Sequence, residues 1–186
     1  MAEGIEGAAA LIVPEGNLDV VCYACTSGSV IIGEEKVFDL LRCGAPTAIP
    51  TSIISGVIRA LKAVNARKIA IATPYVAGIN EIEHVYLEQR GFEVLNIQGL
   101  GIENDADIVR VTRQYLFDFA CSVDSPDADA IFISCGALRS LDIISDLEAV
   151  LGKPVIVSNQ AMMWDCLRLA GVNDRMDGYG RLFADH

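Results

Sequence analysis

Short apolar runs alternate along the chain with stretches in which apolar positions recur every three or four residues. The runs at 18–24, 46–49, 68–73, 92–97, 129–134 and 155–158 are continuous and rich in Val and Ile. Such runs predict parallel strands covered on both faces, because a strand with one wet face alternates apolar and polar residues instead. Helical patterns lie between them. At 52–64, Ile54, Val57, Ile58 and Leu61 fall on one face, with Thr51 or Ser52 as the N-cap. The pattern at 79–90 runs into Gly91, a C-cap residue, and that at 138–151 into Gly152 before Pro154. Residues 105–120 set Ile108, Val111, Thr112, Tyr115, Leu116 and Phe119 on one side, and 160–170 end at Gly171. Strands alternating with helices through short loops predict an α/β fold with doubly wound, mainly parallel sheets.

The same design occurs twice. The first strand run leads to Cys25 in Cys25-Thr-Ser-Gly-Ser29, and the run at 129–134 leads to Cys135 in Cys135-Gly-Ala-Leu138. Each cysteine is followed by a small-residue loop, a helical pattern and a second short strand, at 46–50 and 154–158. This self-similarity predicts two pseudo-symmetric lobes, each offering one thiol, with the active site between them. The expected division puts 1–50 with 159–186 in the first lobe and 51–158 in the second. Ligands of such sheets bind beyond the carboxyl ends of the strands, and Cys25, Tyr75, Asn104 and Cys135 all fall there. Ahead of the first strand there is only a short apolar helical piece at 5–12. The first lobe is therefore expected to lack its leading strand.

Composition narrows the picture. The chain has 186 residues, 52% apolar and 21% charged, enough for one large domain or two small lobes with real cores. A formal net charge of −11 argues against general nucleic-acid binding, which needs clustered Lys and Arg, and against an anionic membrane surface. It leaves open a small anionic substrate held by local backbone donors. The apolar run at 8–13 is too short for a signal peptide, and no stretch reaches membrane-spanning length, so a cytoplasmic protein is expected. In that setting the six cysteines are expected as free thiols.

Cys25 and Cys135 lead the chemical candidates. A thiolate is the nucleophile, and thiol pKa values fall at helix N-termini. Thr26-Ser27-Gly28-Ser29 and Gly136-Ala137-Leu138 would supply backbone N–H donors there, for a thiolate, a carboxylate or an enolate oxygen. A single strand-end cysteine is more often a small buried hydrophobe; repetition of the arrangement favours function for this pair. Cys22-x-x-Cys25 does not suit a redox motif, because Cys22 lies within a strand rather than on a loop opening a helix. Core packing is expected for Cys22, and space filling for Cys43, Cys121 and Cys166. Tyr75, in Thr73-Pro-Tyr75, is either a loop aromatic or a phenol that hydrogen-bonds a carboxylate or enolate. Asn104 reads first as the cap of the following helix, and otherwise as an amide donor to a bound anion. The acidic groups Glu81-Ile-Glu83 and Asp142 to Glu148 are expected on solvated helix faces. No metal site is expected, since His84 and His186 lack ligand spacing and read as surface residues. Gly99-Leu-Gly101 lacks the third glycine of a dinucleotide fingerprint, with Asn at 104, and reads as a turn. No phosphate-binding loop and no Ser-His-Asp set is legible.

Together, Cys25-Thr-Ser-Gly-Ser29, Thr73-Pro-Tyr75, Glu103-Asn-Asp105, Ser134-Cys-Gly-Ala-Leu-Arg-Ser140 and Gly178-Tyr-Gly-Arg-Leu182 resemble the aspartate/glutamate racemase superfamily. The branch they are most similar to holds maleate cis–trans isomerase and arylmalonate decarboxylase. The resemblance runs from about Leu11 to the C-terminus, with the motifs in the family's order. Amino-acid racemases of the superfamily show Cys-Asn-Thr at the first site, and Cys-Thr with an acidic residue or His at the second. Here Thr-Ser-Gly and Gly-Ala-Leu follow the cysteines. Arylmalonate decarboxylases keep only the second cysteine and carry glycine at the first, so a chain with both is most similar to maleate isomerase. The resemblance implies a cofactor-free reaction. Cys25 as thiolate would add to one alkene carbon of maleate, Cys135 would protonate the other, the new single bond would rotate, and reversal would give fumarate.

The resemblance also implies that Tyr75 and Asn104 hold the carboxylates and that Thr26, Ser27, Gly136 and Ala137 contribute backbone donors. The implied partner is a small dicarboxylate. A homodimer is expected from the family and from ordinary base rates. The family has a leading strand ahead of the Leu11 region, ending in a substrate-binding Asn, and nothing before Ile5 can supply it. Two further readings stay open at this point: an amino-acid or hydantoin racemase using the same two thiols, and a dicarboxylate-binding protein without turnover.

Overall fold

Every strand pairing in the computed structural model is parallel, as the continuous apolar runs require. The structure describes residues 2–13 and 17–186. β1 (Val20–Tyr23) and β2 (Ile49–Ser52) form a two-stranded sheet. β3 (Lys68–Thr73), β4 (Glu93–Gly99), β5 (Ala130–Ile133) and β6 (Val155–Val157) form a four-stranded sheet in the order β4-β3-β5-β6. Among the described residues, β1 pairs with β2 alone, whereas its counterpart β5 is flanked on both sides. The smaller sheet is accordingly the one predicted to be short of a strand.

The helices are α1 (Ile5–Ile12), α2 (Thr26–Ile32), α3 (Glu34–Gly44), α4 (Ile53–Ala63), α5 (Ala77–Gln89), α6 (Asp105–Ile108), α7 (Arg113–Val123), α8 (Ile144–Leu151), α9 (Ser158–Leu169) and α10 (Gly180–Asp185). The larger sheet is buried on both faces, and its strands divide by the two-residue period. Ile69, Ile71, Phe132 and Ile156 pack with α4, α9 and α10 on one side. Ala70, Ala72, Ile131, Ile133, Val155 and Val157 pack with α7 and α8 on the other. A smaller core joins Val21 to Ile5 and Ala9 of α1 and to Val37 and Leu41 of α3. Among the described residues, no helix is long and apolar enough to cross a membrane.

Several boundaries differ from the sequence reading, each for a local reason. The segment after Cys25 is not a loop but α2 itself, because Cys25 caps it. The strand expected at 46–49 lies at Ile49–Ser52, since Ala45 to Ala48 close a turn around Pro46 (Ala48 N–H to Ala45 O, 3.1 Å). Pro50 is tolerated there because β2 is an edge strand and needs no donor on its open side. The single helix expected at 105–120 is two, because the Thr112 hydroxyl accepts the Tyr115 N–H at 3.3 Å and starts a new helix. Tyr115 then points outward, 59% exposed. The 138–151 helix begins only at Ile144, after a 3₁₀ turn at Leu141–Ile143. Ser52 does cap α4, accepting the Ser55 N–H at 3.2 Å.

Two acidic residues expected on solvated faces are buried. Glu148 accepts the N–H groups of Val155 (3.0 Å) and Arg181 (2.9 Å), tying α8 to β6 and α10. Glu83 lies under the sheet and accepts the Ser134 hydroxyl. Buried Asp165 of α9 is matched by Arg59 of α4 and by the Thr51 hydroxyl at 2.8 Å, which fastens α9 to β2. Glu34 gathers the hydroxyls of Ser55 and Tyr86 with the Arg90 guanidinium, joining α3 to α4 and α5.

The α4–α9 contact depends on Gly56, where an added Cβ would stand 2.9 Å from the Ala161 carbonyl oxygen. Alanine is the better helix former by about 1 kcal/mol. Overpacking against backbone costs about 1–3 kcal/mol, and here the neighbour is main chain that cannot swing away. Gly56→Ala is therefore expected to lower the urea midpoint despite its propensity gain. A midpoint at or above wild type would show that the two helices separate freely.

Candidate active site

Cys25 and Cys135 stand at corresponding places, each two residues beyond its strand end, after Tyr23 of β1 and Ile133 of β5. They differ in surroundings. Cys25 is the N-cap of α2 with extended backbone (φ −121°), half-buried, and its sulfur accepts the Gly28 N–H at 3.3 Å. Its carbonyl accepts the Ser29 N–H at 2.8 Å and the Ser29 hydroxyl at 2.7 Å, which fixes the turn. The Ser27 hydroxyl is 3.8 Å from the sulfur. Gly28 is needed here, because an added Cβ would meet Tyr23 Oη at 2.6 Å and Cys25 Sγ at 2.9 Å.

Cys135 is buried and adopts φ +97°, the left-handed region that a side chain disfavours. The Ala137 N–H points at its sulfur from 3.4 Å. Burial pushes the thiol up, and the Asp105 charge adds to that, while the Ala137 and Leu138 amides and the Tyr75 hydroxyl favour the thiolate. Burial, and after it the charge of Cys135, push the Tyr75 phenol far up, so Tyr75 stays protonated in the core it shares with Cys135. The first thiol also has a phenol nearby: Tyr23 Oη and the Cys25 sulfur both crowd the place a Cβ on Gly28 would take, and burial, then the sulfur, raises Tyr23.

One hydroxyl draws the two thiol segments together. Ser158 Oγ, at the first residue of α9, accepts the Cys135 N–H at 3.1 Å and the Thr26 hydroxyl at 3.2 Å. All three residues are buried. The two segments also touch directly, since a Cβ on Gly136 would lie 3.2 Å from the Ala24 carbonyl oxygen. The Asn159 amide holds the Gly136 carbonyl at 2.9 Å. Beside this joint lies an open cavity of about 280 Å³ lined by residues 136–142 and Asn159.

The candidate residues thus fall into three groups. Cys25, Thr26, Ser27, Cys135, Gly136 and Ala137 converge, and Tyr75 joins them through Cys135. The first-turn amides of Thr26 and Ser27 have no partner within α2 and are available to an anion, but the Ala137 amide is occupied by the Cys135 sulfur. Asn104 stands at the N-cap position of α6, yet its side chain makes no capping bond. The capping role expected for it is therefore not what the structure has; the exposed amide sits next to Asp105, whose charge reaches Cys135. Among the described residues no cluster suits a metal ion, and His84 pairs with Glu88 at 3.2 Å on the surface of α5. The turn expected at Gly99 to Gly101 is not formed: Gly99 ends β4 and the chain runs on alongside Thr73 to Tyr75 (Leu100 N–H to Thr73 O, 3.0 Å). All six cysteines are free, Cys166 and then burial push the Cys22 thiol far up, and Cys43 is exposed rather than filling space.

Three residues escaped the sequence reading. Tyr23 had a usable signal, since residues two apart on a strand share a face and Cys25 is two further on. Ser158 and Glu83 had none, because each acts on a segment remote in sequence.

Matching strand ends that each carry a cysteine and are joined at one buried serine define the class: a parallel α/β protein whose two thiol segments meet. Within that class the chain belongs to the arylmalonate decarboxylase family, whose model matches residues 2–183. It is 36% identical over 141 residues to an arylmalonate decarboxylase of Bordetella bronchiseptica, covering 74% of this chain and 59% of that protein, less than two thirds of its length. It is 27% identical over 180 residues to a maleate isomerase of Nocardia farcinica, covering 92% and 72% of the two. A crystal structure of arylmalonate decarboxylase superposes with a TM-score of 0.88 at 31% identity, over 100% of this chain and 83% of that one. A mutant of the Nocardia farcinica maleate cis–trans isomerase carrying a covalent succinylcysteine intermediate shares the fold, with a TM-score of 0.92 at 24% identity over 100% and 79%.

Ser158→Ala would leave two buried donors without an acceptor, at about 1–3 kcal/mol each. It is expected to lower the urea midpoint and to speed alkylation of Cys135 by iodoacetamide, read by peptide mass spectrometry, as the loop loosens. Unchanged midpoint and unchanged alkylation would mean that the joint holds without Ser158.

Proposed function

We propose that this protein isomerises maleate, or a related small unsaturated dicarboxylate, to the trans isomer using two cysteines and no cofactor. The observation that carries the reading is the joint of the two thiol segments at Ser158, with a phenol near each thiol. Two thiols across one cleft can act on adjacent carbons. Cys25 thiolate adds to one alkene carbon; the C–S bond forms as the π electrons pass to the neighbouring carbon and its carboxylate. Cys135 gives its S–H proton to that carbon, leaving a thiolate that receives the Tyr75 O–H. The C–C bond, now single, rotates. Cys135 takes a proton back from the same carbon, the π bond reforms, and the C–S bond breaks to return the Cys25 thiolate. Every atom is recovered and nothing is oxidised.

The asymmetry of the two sites supports this assignment. The half-exposed Cys25 at a helix start suits a nucleophile. The buried Cys135, pushed up by burial, suits a group that must begin as an acid. The substrate carboxylates would meet the first-turn amides of Thr26 and Ser27 on one side, and on the other Gly136 with the uncommitted side chain of Asn104. Relatives that are maleate isomerases, one structure of which holds a succinylcysteine, support the same chemistry.

The Bordetella relative favours a second reading, decarboxylation of an arylmalonate. That reaction needs only one thiol, as acid, to protonate the carbanion left by carbon dioxide. Purified protein incubated with maleate is expected to yield fumarate, followed by proton NMR. Cys25→Ala and Cys135→Ala are each expected to reduce the rate at least a hundredfold, the scale of losing a nucleophile or general acid. Carbon dioxide release from phenylmalonate that survives Cys25→Ala, with no fumarate from maleate, would replace the isomerase reading by the decarboxylase one.

A further inference from the structure

The interior behind Cys135 holds a carboxyl that this reaction leaves unused. Glu83, on the inward face of α5, is 2% exposed. Its Oε1 accepts the Ser134 hydroxyl at 2.6 Å, and its Oε2 is buried with no hydrogen-bond partner among the described residues. The other buried acids are matched in a way Glu83 is not. Asp165 has the Arg59 guanidinium and the Thr51 hydroxyl, and Glu148 has the Val155 and Arg181 amides. Ser134 is fully buried and immediately precedes Cys135. Through Ser134, Glu83 is therefore anchored to the strand end that carries the second thiol, in the core that also encloses Tyr75 and Cys135.

We propose that Glu83 is a positioning residue for the second thiol, a buried carboxyl held behind Cys135 by Ser134 whose charge sets when Cys135 gives up its proton. The proposal rests on reading Cys135 as a proton donor. With Glu83 as the acid, loss of the Cys135 proton creates a single negative charge, received by Tyr75 and by the Ala137 and Leu138 amides. With Glu83 ionised, the same step sets two anions in one buried region, where weak screening makes their repulsion strong. Only the Cys135 proton moves to substrate and back; Glu83 keeps its own. Burial pushes Glu83 up to about 7, against the Ser134 hydroxyl, which favours the charged form. The change between the two states thus falls within the neutral range.

The other titratable groups nearby are few. Tyr75 is buried in the same core as Cys135, and Asp105 of α6 acts on Cys135. α2, which packs on α5, carries no titratable side chain of its own, and Glu93 of β4 stands at the far end of its strand.

The test needs no substrate, so it separates from the isomerase assay. Alkylation of Cys135 by iodoacetamide tracks its thiolate fraction and is read by peptide mass spectrometry across pH 5.5–9 on the full chain, wild type beside Glu83→Gln. The variant is expected to match wild type at the acid end. Above the Glu83 transition it should react about threefold faster, the equivalent of half a pK unit. A ratio that does not vary with pH, including a ratio of one throughout, would overturn the proposal, because a purely structural role shifts reactivity alike at every pH. Should Glu83→Gln fail to fold, carbon-13 NMR of Glu-labelled wild type carries the test. Glu83 is expected to titrate near neutrality with a second, smaller step that disappears in Cys135→Ser. A Glu83 resonance titrating below pH 5 would overturn the proposal equally.

Discussion

The Ser158 hydroxyl is the hinge-pin of this molecule. It accepts from the Cys135 amide and from Thr26, the residue after Cys25, so the relation between the two sulfurs is set by one oxygen at the start of α9. α9 is itself held firmly, by Asp165 to Arg59 and Thr51, and by its close approach to α4 at Gly56. The smaller sheet, the larger sheet and the helix between them thus meet at one hydroxyl. A buried three-residue polar contact of this kind tolerates little displacement, because each partner loses a hydrogen bond it cannot replace with water.

The two thiols are alike in position and unlike in character. The repetition in the chain made the likeness visible, since Cys25 and Cys135 each close an apolar run of strand type. The unlikeness comes from tertiary placement. β1 borders only β2 among the described residues, so its end stays half-open. β5 is flanked by β3 and β6, and its end is enclosed by Tyr75, Leu138 and the start of α9. In the proposed reaction, position in the sheet is what sorts one cysteine toward attack and the other toward proton transfer.

The sequence reading succeeded where the governing physics is local and faltered where it is not. Strands at 68–73, 129–134 and 155–158 were legible because a doubly buried strand must be apolar throughout. The Ser52 cap of α4 was legible because the hydroxyl and the helix it starts are neighbours. The break at Thr112 was not, because its apolar neighbours fit an unbroken helix as well as a new start. Glu83 and Glu148 were misplaced on solvated faces because the donors that receive them, Ser134, Val155 and Arg181, are 51, 7 and 33 residues away. At the site, the strand-end residues could be named in advance. The hydroxyl that assembles them could not, since a serine opening a helix reads first as an ordinary helix start.

The left-handed backbone at Cys135 has a consequence for how this chain can change over time. A side chain at φ +97° is strained by about 1–3 kcal/mol, and glycine alone adopts that conformation freely. Folding and chemistry thus pull this position in opposite directions. The substitution that relaxes the backbone, Cys135→Gly, is a single nucleotide change in either cysteine codon, and it deletes the sulfur while leaving the architecture intact. A lineage released from selection for the reaction would slide toward a well-folded and silent descendant.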